Sequence, residues 1–144
     1  MTTKRFKFLE HTGDALVEAY GRNLEEAFEN AALAMFEVMT DTSKVDPKVM
    51  QEIAVEADDG KGLLYAWLEQ LLVKFDVEDL LLSKFEIRRF DKTPEGYRLK
   101  AKVWGESLDP EKHLQKTGIK ACTYHLMKVD AGEKGATVRF LLDL

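Results

Sequence analysis

The chain has 144 residues, of which 45% are hydrophobic, 33% charged and only three proline, which excludes disordered and fibrous classes and fits one domain with a substantial core. Its formal net charge of −5 argues against a surface that grips phosphates nonspecifically, since such binding needs Lys and Arg to displace counterions. Cys122 is the single cysteine, so neither an internal disulfide nor a cysteine zinc cluster can form, and a reducing, intracellular compartment is expected.

Met1-Thr2-Thr3-Lys4-Arg5 lacks the apolar stretch of a signal peptide. No later run approaches the roughly 20 apolar residues of a membrane span, so a cytoplasmic protein without membrane contact is expected. Phe6 and Phe8 alternate with Lys7 and Leu9 as a first short strand, closed by Glu10-His11-Thr12-Gly13-Asp14, and Leu16 to Tyr20 reads as a second. From Leu24 to Met39 the apolar residues Leu24, Ala27, Phe28, Ala31, Ala32, Met35, Phe36 and Met39 recur at helical spacing, and Asn23 precedes them as an N-cap. Met50 to Ala57 alternates like a strand. Asp58-Asp59-Gly60 reads as a turn leading into a second helix over Gly62 to Phe75, with Leu64, Trp67, Leu68, Leu71 and Leu72 on a broad apolar face.

Leu80 to Phe90 and Tyr97 to Trp104 predict a hairpin across Thr93-Pro94-Glu95-Gly96. Ile119 to Val129 and Ala136 to Leu142 predict another across residues 131–135. Between the hairpins, Gly105 to Thr117 has no clear period and reads as a long functional loop. Strands joined mainly as hairpins, with two long helices among them, predict a single α+β domain over residues 1–144: a two-layer arrangement with both helices on one face of a mixed or antiparallel sheet.

The acidic ends carry the most chemistry. If the first and last strands pair, Glu10 and Asp14 near one end of the chain meet Asp143 and the carboxylate of Leu144 near the other, an oxygen-rich site for a hard divalent cation such as Ca²⁺ or Mg²⁺. The ordinary alternatives are a solvated turn Asp and a frayed C-terminus. Phe140-Leu141-Leu142 is apolar enough to anchor that terminus in a sheet. Asp109, His113 and His125 form a second group, with Thr123 and His125 expected on one strand face and Tyr124 on the other; a polar strand face explains them better than catalysis does. Gly60-Lys61-Gly62 lacks the upstream glycine and the Ser/Thr of a phosphate loop. Cys122 reads as a small core residue.

Taken in order, Glu10-His11-Thr12-Gly13-Asp14, Leu24-Glu25-Glu26-Ala27-Phe28, Met35-Phe36, Val38-Met39-Thr40-Asp41, Leu63-Leu64-Tyr65-Ala66-Trp67-Leu68, Lys120-Ala121 and Thr123-Tyr124-His125 resemble the archease family across nearly the whole chain. That resemblance implies a non-catalytic accessory protein of the tRNA-splicing RNA ligase, promoting guanylylation and multiple turnover, with RNA reached only through the ligase. It also implies a bound divalent cation, calcium in archaeal members, held here by Asp14, Asp143 and Leu144. Glu10 and His11 would support the site or face the ligase. Many archeases have alanine where Gly13 stands. An older proposal for the family is a chaperone-like modulator of nucleic-acid-modifying enzymes.

Overall fold

The computed structural model describes residues 4–9 and 12–144. The elements in chain order are β1 (Phe6–Leu9), β2 (Asp14–Gly21), α1 (Leu24–Met39), a short 3-10 turn (Thr42–Lys44), β3 (Val49–Ala57), α2 (Gly60–Glu78), β4 (Leu80–Thr93), β5 (Gly96–Ser107), β6 (Ala121–Gly132) and β7 (Gly135–Asp143).

Both helices begin where a short polar side chain can take over an orphan amide. Asn23 accepts from the Glu26 N–H ahead of α1, and Asp59 accepts from the Gly62 N–H ahead of α2. The α1 stripe buries Ala27, Phe28, Ala31, Ala32, Met35 and Phe36, as its spacing predicts. The second helix is longer than predicted at both ends. It starts at Gly60, directly after its Asp59 cap, and runs to Glu78, where Asp79 at φ 53° ends it in a left-handed turn.

The α+β reading holds, with seven antiparallel strands in two sheets, ordered β1-β2-β7-β6 and β3-β5-β4. Helix α1 packs on β2, β7 and β4, and α2 packs on β6, β3, β5 and β4, so each helix touches both sheets. One continuous core results. Val17, Val138 and Phe140 from the first sheet meet Ile53, Leu99 and Val103 from the second, around Phe28, Phe36 and Trp67 of the helices. The Trp67 indole N–H donates to the Phe28 carbonyl at 2.9 Å, which pins α2 to α1 inside the core. Gly105 lets β5 approach β4 closely: a Cβ there would overlap the Leu81 carbonyl oxygen.

Both hairpin turns are tighter than predicted, with β4 running to Thr93 and β6 to Gly132 before their partners begin at Gly96 and Gly135. No helix among the described residues is long and apolar enough to cross a membrane.

Candidate functional site

The last strand pairs with the second strand rather than the first. In the β2–β7 ladder Asp14 stands directly opposite Asp143, followed by Ala15 opposite Leu142 and Leu16 opposite Leu141. Directly opposed residues point to the same face with Cβ atoms about 4.5–5.5 Å apart, so the carboxylates of Asp14 and Asp143, at opposite ends of the sequence, become neighbours at one end of the sheet.

Local sequence explains the placement on each side. Gly13, at φ +76°, occupies the left-handed region just before Asp14, and that is what favours glycine there, because the surrounding space is open. On the other side Phe140 and Leu142 are fully buried and Leu144 packs against the core, so β7 is anchored up to its end. Strand β6 completes the edge: Ala121 pairs with Asp143, and the Lys120 N–H donates to the Asp143 carbonyl at 2.7 Å.

Two carboxylates this close repel by an energy on the order of 1 kcal/mol in water and about 4 kcal/mol near a protein surface. A cation or a donor must offset that. Asp14 is not isolated in this respect, since it takes part in at least one further polar or electrostatic interaction. The donors that the described residues offer at this end of the sheet are carboxylate and main-chain oxygens, a hard set of the kind that suits Ca²⁺ or Mg²⁺. Among the described residues no three His, Cys, Asp or Glu side chains converge on one point, so the Asp14/Asp143 pair needs main-chain oxygens, such as those of Leu144, to reach a useful ligand count. Glu10 and His11 lie outside the described residues.

The second predicted group separates. His113 is almost fully buried and its Nδ1 accepts the Asp109 N–H at 2.9 Å, which leaves the ring proton on Nε2, donated to Glu106 at 3.0 Å. Glu106, an acid that no sequence motif marks, also accepts from Lys112 Nζ and from the Asp46 N–H, both at 2.7 Å. Burial pushes the Glu106 carboxyl up, but these donors outweigh it and hold the group down at about 2. This cluster is a clasp. It ties the segment after β5 to the residues before β3, and the Lys116 N–H donating to the Met39 carbonyl adds a second fastening. The long loop is therefore well held, and its buried histidine builds structure.

His125 stands apart on β6, where the alternation expected of residues 123–125 breaks. Pairing slips between Thr123 and Lys128, and Leu126 has φ 60°. The bulge leaves Tyr124, His125 and Leu126 exposed in succession, with Tyr124 stacked on Tyr65 of α2 at 4.4 Å. Cys122 is buried, as expected, and burial pushes its thiol up to about 12, which suits a core residue and not a nucleophile.

Residues 6–144 match the model of the Archease protein family (MTH1598/TM1083). A protein archease from Sulfurisphaera tokodaii is 49% identical over 141 residues, covering 98% of this chain and 99% of that one. Another, from Pyrococcus abyssi, is 49% identical over 127 residues, covering 88% and 89%. The solution structure of Methanobacterium thermoautotrophicum protein 1598 superimposes with a TM-score of 0.84 at 42% identity over 96% of this chain and 98% of that one. The crystal structure of an archease, possible chaperone, from Thermotoga maritima shares the fold at a TM-score of 0.59 and 18% identity, with both chains fully covered.

Proposed function

The chain belongs to the archease family, and we propose that it is a non-catalytic, cytoplasmic activator of the tRNA-splicing RNA ligase, working through a divalent cation at its acidic tip. The observation that carries this reading is the register that sets Asp14 opposite Asp143 at the end of a well-anchored strand. The cation, Ca²⁺ in the first instance, would be held by Asp14 and Asp143 side chains and by oxygens of Leu144. When bound, it would supply a positive charge able to neutralise phosphate oxygens in the ligase's nucleotide pocket.

The chain's own residues do the positioning. Gly13 turns the backbone so that Asp14 begins β2, the buried Phe140 and Leu142 fix β7, and the Lys120 amide holds the Asp143 main chain. The tip thus presents its carboxylates on a rigid scaffold, which suits insertion into a partner's site. Among the described residues no nucleophile accompanies them: Cys122 and His113 are both buried, and His113 has its two ring nitrogens engaged. RNA, in this reading, is met through the ligase.

The first test is Ca²⁺ titration by calorimetry on wild type, Asp14→Asn and Asp143→Asn. The expected result is one site per chain in wild type and at least a tenfold weaker site in either variant; equal binding in all three would remove the tip as the metal site.

A second reading, a chaperone-like modulator of nucleic-acid-modifying enzymes, draws on one observation. Val73, Val77, Tyr124 and Leu126 expose apolar surface on α2 and the neighbouring β6 bulge. It predicts effects on unrelated client enzymes that survive Asp14→Asn.

A further inference from the structure

Sheet β3-β5-β4 buries one face against the helices and turns the other to solvent. Along the central strand β5, Leu99, Ala101 and Val103 are buried, while Arg98, Lys100 and Lys102 point outward in a row. Alternate residues of a strand repeat at about 6.8 Å, a spacing close to that of successive phosphates along an extended nucleic-acid strand.

Strand β4 adds two more cations through an irregularity. Its register slips between Ile87, opposite Ala101, and Arg89, opposite Lys100, so Arg88 is the extra residue of a β-bulge. Arg88 and Arg89 are 52% and 67% exposed and flank the row. A shallow hollow of about 470 Å³ forms there, with Arg88, Arg89, Lys100 and Lys102 and one acid, Glu52, around a floor of Ile53, Ala54 and Ala101. In a chain with a net charge of −5, this concentration of cations on one flat face is opposite in sign to the molecule as a whole.

The acids on the face do not neutralise it firmly. Arg88 pairs with Glu86 at 3.5 Å, Arg89 with Asp91 at 3.3 Å and Arg98 with Glu56 at 3.3 Å, all between exposed side chains. Such pairs contribute about 0–1 kcal/mol and exchange readily for another anion. Lys100 and Lys102 have no ion-pair partner among the described residues, although Glu52 on β3 and Glu86 on β4 both lie opposite Lys102. At the end of the row Trp104 offers an aromatic ring, with Lys84 Nζ 4.6 Å above it.

We propose that the outer face of β3-β5-β4 binds the sugar-phosphate backbone of single-stranded RNA without regard to sequence. The regular row and the cluster beside it match a repeating anion. An acidic protein partner fits less well, because stable protein interfaces centre on large apolar anchors, and around Lys100 only the small Ala54 is exposed, Ile53 and Ala101 being buried. This contact goes beyond the activator reading, in which RNA is met through the ligase, and needs neither the ligase nor the acidic tip, so either can fail without the other.

The test is fluorescence anisotropy of a labelled 12-nucleotide oligouridylate against the full chain, without ligase, from 25 to 200 mM KCl. Four phosphate contacts predict a log–log salt slope of about −3, from about −0.7 per phosphate neutralised on a single strand. The quadruple substitution Arg88→Ala, Arg89→Ala, Lys100→Ala, Lys102→Ala should weaken binding at least tenfold at 25 mM KCl and flatten the slope. Circular dichroism should show an unchanged melting curve, because all four side chains reach solvent. The pair Lys100→Ala, Lys102→Ala should remove about half the slope and supports the assignment independently. Absence of binding by wild type, equal binding and slope in the quadruple variant, or competition by polyglutamate as effective as that by unlabelled RNA would each overturn the proposal, the last in favour of an acidic protein partner.

Discussion

Replacing Glu106 by Gln tests whether the clasp holds the segment between β5 and β6. Glu106 is 7% exposed and accepts from His113 Nε2, Lys112 Nζ and the Asp46 N–H. All three reach the same oxygen, Oε2, so the amide oxygen can stand in its place; the charge is lost, and the NH₂ group takes the Oε1 position, where Lys48 Nζ lies 3.5 Å away. The three bonds persist to a neutral acceptor, and what goes is their charge assistance together with the attraction of Lys112 and Lys48, hydrogen bonds to a charged group contributing about 1.5–3 kcal/mol against about 0.5–1.5 for neutral ones. A net loss of about 2 kcal/mol follows, equivalent to roughly 6 °C in melting temperature for a domain of this size. The pH dependence carries a sign. The Glu106 carboxyl is lowered from 4.5 to about 2 by folding, so its contribution is fully present above pH 4.5 and is lost as the pH falls through about 2. Melting of wild type and Glu106→Gln, followed by circular dichroism between pH 7 and pH 2, should give curves that converge over that window. A variant that melts within 1–2 °C of wild type at pH 7, or a gap that widens in acid, would refute the reasoning.

Other substitutions probe the scaffold under the tip. Trp67→Phe should cost about 2 kcal/mol in urea denaturation, because it removes the indole bond to the Phe28 carbonyl, which keeps only its helical bond, and opens space among fully buried neighbours. Gly105→Ala should cost roughly 3 kcal/mol or more, or abolish soluble expression, since the new Cβ would overlap the Leu81 carbonyl and β4 and β5 would have to part. Leu126→Gly should be neutral or stabilising by up to about 1 kcal/mol, because the left-handed backbone there costs a side chain about 1–2 kcal/mol and glycine returns part of that as chain entropy.

Much of the architecture was legible because it depends on local pattern. Helix α1 has the predicted bounds, Leu24–Met39, since its apolar period begins just after a good N-cap and runs uninterrupted. For α2 the apolar face ends at Phe75, while the backbone continues to an exposed Val77 and Glu78 that no periodicity marks. The division into two sheets was not legible, because strand pairing over long separations is decided by packing around both helices. Equally hidden were the two bulges of functional interest, at Arg88 and at residues 124–127, where side chains leave strict alternation. Of the acid site, the neighbours Asp14 and Asp143 were readable from their places at strand ends. The strand that brings Asp14 there is β2 and not β1, because β1 forms the sheet edge. Glu106 stayed unnoticed because a single acid at a strand end carries no signal until His113, Lys112 and Asp46 are folded around it.

The most direct test of the central claim is guanylylation of the cognate RNA ligase, followed by multiple-turnover RNA joining, with and without this protein in defined Ca²⁺ and Mg²⁺. Wild type is compared with Asp14→Ala and with Glu106→Gln. Stimulation by wild type that is lost in Asp14→Ala and retained in Glu106→Gln at a temperature where both are folded is the predicted result. Full stimulation by Asp14→Ala, or none by well-folded wild type, would contradict an activator that works through its acidic tip.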